Sequence, residues 1–225
     1  MRKAIISVLI VSSLLACNRY LKYPGAESLA TRNQDFNQGW KFLRDSLNGA
    51  EASNFIDTAW RTVDLPHDWS IEDLPLKSGD TIVGPFSKKS NGATSTGYTV
   101  GGTGWYRKTF TLGTEDSSKN ISIHFEGVYM ECDLWVNGKH VGSHSYGYTP
   151  FSFDITSYLN KIGISNLLAV RVKNIGRNSR WYSGSGIYRN VWLIKTNSLH
   201  IENEGIAITS PKISEKEACK VKYNT

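Results

Sequence analysis

Alternation of apolar and polar residues is the feature that most restricts the fold of this chain. Between residues 128 and 136 the even positions are Val, Met, Cys, Leu and Val, whereas Glu131 and Asp133 stand at odd positions. A period of two places every second side chain on one face of a β-strand, so this segment predicts a strand with one buried face. A slip of one residue in pairing would expose that whole apolar set, and the register is therefore strongly determined.

Other segments repeat this pattern and are separated by turn signals. Asn137-Gly138 predicts a type I′ hairpin turn directly after the first strand. Residues 70–104 are rich in Gly, Ser and Thr and predict a long loop, and no amphipathic helix of useful length is predicted. Short strands of this kind predict an all-β sandwich. The predicted strands are WYRKTFTL (105–112), ISIHF (121–125), FSFDI (151–155), LLAVRV (167–172) and VWLIKT (191–196).

Composition is ordinary for a folded globular protein, with 40% hydrophobic and 20% charged residues among 225. The seven Trp and eleven Tyr residues are many for this length. Such rings serve either as core side chains or as platforms on which sugars stack. The formal net charge is +6, but the sequence contains no dense run of basic residues, so nucleic-acid binding is not expected.

The N-terminus carries an export signal. MRK is a positive n-region, and AIISVLIVSSLLA is an apolar run too short to span a bilayer comfortably, which predicts a signal peptide at residues 1–16. LLAC at 14–17 resembles the bacterial lipobox, in which the cysteine is lipidated, and a plain secretory signal is the alternative. We therefore expect Cys17 to anchor the chain to the bacterial cell envelope, on the periplasmic or outer-membrane side. Residues 17–34 then form a linker.

Several motifs that could suggest other chemistry do not have the right context. GSGIYR lacks the third glycine and the strand-turn-helix setting of a dinucleotide site. His140 and His144 have a metal-ligand spacing only on a helix, and here they fall on a hairpin, so no metal and no cofactor are expected. Cys132 and Cys219 could pair in an oxidising compartment, but Cys132 sits in an alternating strand as a small buried hydrophobe would.

Five segments, taken in order, give the chain a family resemblance. The first and second are WRTVDLPHDWSIE (60–72) and GGTGWYRKTFTL (101–112). The third is FEGVYMECDLWVNGKHVGSHSYGYTPFSFDIT (125–156), followed by NLLAVRVKN (166–174) and RWYSGSGIYRNVWL (180–193). Together they resemble the N-terminal sugar-binding domain of glycoside hydrolase family 2, in particular its β-galactosidases. The resemblance implies a jelly-roll β-sandwich of the galactose-binding type over residues 35–197. It also implies the start of an incomplete immunoglobulin-like domain at 198–225.

The resemblance also points to site residues in RWYSGSGIYRNVW. Val191 and Leu193 are expected in a core strand, with Gly184 and Gly186 turning the backbone into it. The residues before these glycines, with Arg180 and Trp181 foremost, are expected at the rim of the sandwich beside the sugar pocket, although they could instead pack against the next domain. Some relatives hold the sugar with an Asp where this chain has Ser179, which makes Arg180 the better polar contact. The substrate-rim candidates are Ser179, Arg180, Trp181 and Tyr182.

The family's two catalytic carboxylates come from a (β/α)8 barrel. A barrel needs about 250 residues, so no catalytic residue is assigned within residues 1–225, and this chain is expected to be inactive alone. One interpretation is the non-catalytic N-terminal part of a retaining, β-galactosidase-like hydrolase of carbohydrate metabolism. Its partners would be a carbohydrate substrate, the C-terminal catalytic domain of the same enzyme and, through the lipid anchor, a membrane. The alternative is a stand-alone lipid-anchored carbohydrate-binding or scaffolding module.

Overall fold

A computed structural model describes residues 32–72, 82–83, 86–88, 90–176, 184–209 and 220–223. A compact unit begins at Asn33, and strands account for most of its regular structure. Cys17, Cys219 and the four substrate-rim candidates at 179–182 lie outside the described residues, as does the predicted signal peptide. In the part of the chain that is described, no helix is long and apolar enough to cross a membrane.

Two antiparallel sheets stack face to face. The first has four strands, in the order β1-β12-β7-β10, and the second has six, in the order β3-β2-β6-β11-β8-β9. The strands of the first sheet are β1 Asn33–Asp35, β7 Asn120–Phe125, β10 Phe151–Asp154 and β12 Val191–Thr196. Those of the second are β2 Trp40–Leu43, β3 Arg61–Val63, β6 Gly102–Phe110, β8 Glu131–Val136, β9 Lys139–His144 and β11 Asn166–Asn174.

The shorter elements lie between these strands or after them. Two small hairpin-like pairs are β4 Ile82–Val83 with β5 Phe86–Ser87, and β13 Ile206–Thr209 with β14 Lys220–Tyr223. Helical structure within the described ranges consists of α1 at Trp69–Glu72 and 3₁₀ turns at Ala93–Thr96, Thr114–Asp116 and Thr156–Tyr158. This confirms the prediction of an all-β jelly-roll sandwich. An immunoglobulin-like domain at 198–225 remains a prediction.

The main core lies between the two sheets and follows the period-two pattern. In β8 the even residues Cys132, Leu134 and Val136 are buried, and the odd residues face outward. The predicted core residues Val191 and Leu193 of β12 belong to the same cluster. Burial at this interface is the main source of stability, at about 25 cal/mol for each Å² of apolar surface removed from water. The Cys132 thiol is fully buried and free of any disulfide, and burial raises its pKa.

Hairpin geometry confirms the turn prediction. Asn137 and Gly138 both have positive φ, at 53° and 80°, as a type I′ turn requires. Asn137 also joins this turn to β11, because its Oδ1 accepts a hydrogen bond from the Leu167 N–H at 2.9 Å and its Nδ2 donates to the Tyr158 carbonyl at 2.9 Å. The turn residue therefore fixes the hairpin to the strand beside it as well as reversing the chain.

Two sequence predictions about boundaries are wrong. The strand predicted from residue 128 begins at Glu131, because Tyr129 pairs with Gly186 through an isolated bridge rather than with a neighbouring strand. The loop predicted over 70–104 contains the β4–β5 pair and a 3₁₀ turn, and β6 already begins at Gly102. Glycine and serine content indicated a loop there, but backbone pairing with β11 extends β6 into it.

A second apolar cluster covers the outer face of the six-stranded sheet. Its buried members are Trp105 of β6 together with Ala50 and Trp60, which belong to the segment between β2 and β3. Arg107 holds this segment down. Its guanidinium donates to the Asp57 carboxylate at 2.8 Å and to the carbonyls of Ala50 and Ala52, while the residue remains only 3% exposed. Both faces of β6 are therefore buried from Thr103 to Arg107.

Candidate functional site at the rim of the sandwich

The described residues that flank the predicted site form one rim of the sandwich. On one side is the end of β11 at Asn174, and on the other is the stretch from Gly184 into β12. Residues 67–70, which include the first two residues of α1, lie against the stretch that begins at Gly184. Backbone hydrogen bonds join them, since the His67 N–H donates to the Ile187 carbonyl at 2.8 Å and the Trp69 N–H donates to the Ser185 carbonyl at 2.9 Å.

A polar network of three buried residues and the half-buried Asp68 fixes this stretch, and we call it the anchor network: Asp68, Ser70, Asn174 and Ser185. One oxygen of Asp68, Oδ1, accepts hydrogen bonds from the Ser185 N–H at 2.8 Å, the Ser70 N–H at 2.9 Å and the Ser70 hydroxyl at 2.6 Å. Hydrogen bonds to a carboxylate are about twice as strong as those between neutral groups. Asp68 therefore joins the start of α1 to a segment more than a hundred residues away.

Asn174 supplies the other half of the anchor network. Its Nδ2 donates to the Ser185 hydroxyl at 2.8 Å and to the Gly184 carbonyl at 3.2 Å. The Ser185 hydroxyl in turn donates to the Val100 carbonyl at 3.2 Å, and Ser185 is fully buried. Each of these buried polar groups has a partner, so the network can specify one conformation instead of destabilising the fold.

Two features require glycine at position 186, namely its backbone conformation and its close approach to His67. Its φ of 138° lies in the region that side chains avoid, and a Cβ there would stand 2.4 Å from the His67 carbonyl oxygen. Gly186 also exchanges two backbone hydrogen bonds with Tyr129, at 2.9 and 3.1 Å. The sequence predicted that Gly184 and Gly186 turn the chain into β12, and for Gly186 the positive φ and the close approach to His67 give the physical reason.

His67 lies buried beneath this contact. Its Nδ1 is 2.7 Å from the Tyr106 hydroxyl, and its Nε2 is 2.9 Å from Arg61 Nη2 and 3.0 Å from Glu72 Oε2. The pKa of His67 is lowered from 6.5 to about 4, chiefly by burial and in addition by the Arg61 guanidinium, against the opposing effect of Asp68. The imidazole is therefore neutral near pH 7, and a neutral ring can remain buried in this position.

Four tyrosines lie on the other side of Gly186, and three of them, the exposed Tyr146 and Tyr148 and the half-buried Tyr188, are called here the tyrosine surface. Tyr129 lies beneath them and is only 1% exposed. Tyr148 packs edge-to-face against Tyr129 and against Tyr146, with ring centroids 5.5 Å apart in both pairs. Burial raises the pKa of Tyr129, so its hydroxyl stays protonated. Nothing in the sequence singled out these residues, although GYTPF belongs to one of the segments that carry the family resemblance.

A separate cleft of about 470 Å³ lies beside Arg107 and the Asn137 turn. The polar groups that line it are engaged in holding the fold together, since Arg107 is bonded to Asp57 and to backbone carbonyls. Asn137, Asn160 and Asn166 are likewise bonded to one another or to the backbone. This cleft is therefore part of the scaffold. His140 and His144 both lie on β9, and no cluster of metal-ligating side chains occurs among the residues that the structure covers.

The chain is similar to known glycoside hydrolases. Residues 34–197 match the family described as glycosyl hydrolases family 2, sugar binding domain. A β-galactosidase of Bacteroides ovatus, BoGH2A, is 46% identical over 186 residues, which are 82% of this chain and 20% of that protein. A putative β-glucuronidase of Formosa agariphila is 38% identical over 184 residues, or 81% of this chain and 16% of that protein.

Structural similarity agrees with the sequence match. The crystal structure of a glycosyl hydrolase family 2 member from Bacteroides cellulosilyticus is 47% identical, with a TM-score of 0.73 over 80% of this chain and 23% of that one. This chain thus spans about a fifth of the length of the relatives it matches. The family match covers most of the chain and both sheets of the sandwich. The chain therefore belongs to glycoside hydrolase family 2 and carries the sugar-binding domain of that family.

Proposed function

We propose that this chain is the non-catalytic N-terminal part of a β-galactosidase-like glycoside hydrolase that acts in carbohydrate metabolism. The observation that carries the proposal is the match of residues 34–197 to the family's sugar-binding domain. The 46% identity to the Bacteroides ovatus β-galactosidase supports the galactoside preference over the glucuronide preference of more distant relatives. The whole enzyme would act on the glycosidic bond, and this domain would help shape the wall of its sugar pocket.

The chemistry of bond cleavage belongs to another domain. Retaining hydrolysis needs two carboxylates about 5 Å apart, one as nucleophile and one as general acid and base. A barrel of about 250 residues would supply both. The rim of the sandwich has aromatic surface, hydroxyl groups and a rigid backbone, and these features suit the binding and orientation of a sugar. We therefore expect this chain by itself to hydrolyse no glycoside.

We further propose that Arg180 and Trp181, with Ser179 and Tyr182 beside them, contact the sugar in the complete enzyme. A guanidinium donates hydrogen bonds in a fixed fork, and an indole offers a broad apolar face with one donor. The anchor network supports the idea, because it fixes Gly184 and Ser185 directly after this segment. Arg180→Ala in an enzyme that contains the catalytic domain should lower kcat/KM at least tenfold, or about 1.4 kcal/mol. Unchanged kinetics with weakened thermal stability would instead indicate packing against another domain.

A chimera tests the proposed function directly. Residues 34–197 of this chain would replace the matching segment of the Bacteroides ovatus β-galactosidase, and hydrolysis of an aryl β-galactoside would be measured. We expect the chimera to hydrolyse the substrate within about tenfold of the parent enzyme, while this chain alone releases no aryl alcohol above a blank. A chimera that is folded by circular dichroism but inactive would favour the alternative of a stand-alone carbohydrate-binding or scaffolding module.

We also propose that Cys17 is lipidated and anchors the chain to the bacterial cell envelope. The support is the LLAC sequence after a short apolar run. Lipidation stabilises membrane attachment by about 0.8 kcal/mol for each buried methylene, so more than one acyl chain gives firm anchoring. Detergent partitioning of the wild type and of Cys17→Ala tests this. Equal membrane association of both, or a mature N-terminus other than residue 17, would contradict it.

A further inference from the structure

The tyrosine surface exposes aromatic side chains next to Gly186. Tyr146 is 57% exposed and Tyr148 is 37% exposed, whereas Tyr129 beneath them is almost fully buried. Exposed aromatic rings that are grouped together are uncommon on a protein surface and mark sites of interaction. Tyrosine suits such a site, because it offers a large rigid face together with a hydroxyl group.

Hydrogen bonds fix the backbone that carries these rings at two residues, Tyr146 and Gly147. The Tyr188 hydroxyl donates to the Gly147 carbonyl at 2.7 Å, and His144 Nε2 donates to the Tyr146 carbonyl at 2.8 Å. The His144 ring itself stacks on Phe151, with ring centroids 4.1 Å apart. The turn that holds Tyr146 and Tyr148 is therefore attached both to β10 and to the segment that leads into β12.

Gly147 brings this turn down onto Tyr129. A Cβ at position 147 would stand 2.4 Å from the Tyr129 ring, so only glycine allows the backbone to lie directly on that ring. Tyr146 and Tyr148 stand on either side of Gly147, and both remain exposed although Tyr148 also packs against Tyr129. Because the rings are held in place before any ligand arrives, binding loses little side-chain entropy.

We propose that Tyr146 and Tyr148 form a stacking site for a β-galactopyranoside. In that sugar the C3, C4 and C5 hydrogens lie on one face, which makes an apolar patch that fits an aromatic ring, while the hydroxyl groups at its edges can reach the tyrosine hydroxyls. The choice of a galactoside as the ligand rests on the proposed function. The position follows from Tyr129, which supports Tyr148 and is paired through its backbone with Gly186 in the rim.

A titration followed by NMR tests the site on the whole chain. The chain would be labelled with ¹³C in its tyrosine rings and titrated with methyl β-D-galactopyranoside. We expect the signals that disappear in Tyr146→Ala and Tyr148→Ala to be those that shift in the wild type. Tyr98 is the matched control, because it is 39% exposed and lies outside the tyrosine surface. Its signal should not move, and sorbitol, a polyol without a pyranose face, should move none of them.

Affinity gives the second measurement. Tyr146→Ala should raise the Kd for the galactoside at least about fivefold, whereas Tyr146→Phe and Tyr98→Ala should leave it within about twofold. Tyr146 is the more exposed of the two, so its removal should leave the fold intact even if Tyr148→Ala loosens the packing on Tyr129.

Two results would overturn the stacking site. One is a wild-type chain in which neither tyrosine signal shifts at any sugar concentration, as expected if another protein surface covers them. The other is a galactoside that binds with equal Kd to wild type and Tyr146→Ala. Either result leaves the proposed function standing, since that function depends on the activity of the chimera. An inactive chimera, in turn, leaves the titration fully interpretable.

Discussion

The Asp68 carboxylate accepts a hydrogen bond from the backbone N–H of Ser185 at 2.8 Å, across 117 positions of the chain. Asp68 stands just before the short helix α1, and Ser185 stands in the stretch that enters the last strand of the first sheet. Removing the carboxylate leaves a buried N–H without its partner, and a buried donor of that kind costs about 1–3 kcal/mol.

Asp68→Ala should therefore lower the free energy of unfolding by about 2–3 kcal/mol, because three hydrogen bonds end on the same carboxylate oxygen. Urea unfolding measures the change. Asp154→Ala is the matched control, since within the described part of the chain Asp154 accepts a hydrogen bond only from Thr156, two residues away and at an exposed position. It should cost about 1 kcal/mol or less. Similar losses in both variants would show that the long-range bond adds nothing.

Gly186→Ala should destabilise the fold more than Gly102→Ala does. Both glycines have positive φ, at 138° and 115°, but a Cβ at Gly102 meets nothing within 4 Å. Gly102→Ala thus measures backbone strain alone, about 1–3 kcal/mol. Gly186→Ala adds the clash with the His67 carbonyl, worth about another 1–3 kcal/mol. Denaturation midpoints compared at equal m-values give the difference, and equal midpoints would rule out the close approach as a constraint.

Stability should fall in acid because of His67. Its pKa in the folded chain, about 4, lies below the ordinary value of 6.5, so protons bind the unfolded chain more readily. The contribution of His67 is complete above about pH 6.5 and declines as the pH falls towards 4. Between pH 7.5 and pH 5 the free energy of unfolding should decrease by about 2 kcal/mol because of His67.

The His67→Gln variant tests this assignment. Unfolding free energies at pH 7.5 and pH 5 should differ by about 2 kcal/mol less in His67→Gln than in the wild type. If His67→Gln keeps the full dependence, other groups are responsible for the acid sensitivity.

Arg107→Ala should release the segment between β2 and β3. The buried guanidinium pairs with Asp57 and with backbone carbonyls, and removal of one partner of a buried ion pair costs about 3–5 kcal/mol. Arg171→Ala provides the comparison: Arg171 is 29% exposed, pairs with Asp133 at 2.8 Å, and should cost about 1–2 kcal/mol. Hydrogen exchange at Ala52 and Phe55 should accelerate only in Arg107→Ala. Equal exchange in both variants would argue against the role of Arg107.

Sequence periodicity was sufficient to predict most strands of the sandwich and their buried faces, whereas β1 and β2 were not predicted. β12 occupies the predicted residues 191–196, and β7 adds only Asn120 to the predicted segment. A period of two is a local property, so it can be recognised without knowing which strands pair. β11 departs from this pattern, since its residues 166–170 are all buried, and so does β6, in which Trp105, Tyr106 and Arg107 are consecutive and all buried. The outer face of β6 is covered by a distant segment, which no local pattern could indicate.

The site was predicted less completely, for the same reason. Family resemblance directed attention to the stretch around Gly184 and Gly186, but Asp68, Asn174 and the tyrosine surface act across long distances in the chain. Asp68 lies in PHDW and Tyr148 in GYTPF, two motifs within the matching segments, so their presence was visible. Their hydrogen-bond and packing partners could not be predicted, because residues that are bonded across 117 positions show no recognisable spacing in the sequence.

The pairing of β1 with β12 has a consequence for how the protein is made. Asn33 lies opposite Ile194, so the first strand of the sandwich cannot find its neighbour until the last strand has left the ribosome. Translation proceeds at about 5–20 residues per second, which makes this wait roughly 10–30 s. During that time β1 is an open edge, and only its short length and its polar residues Asn33, Gln34 and Asp35 protect the nascent chain from mispairing.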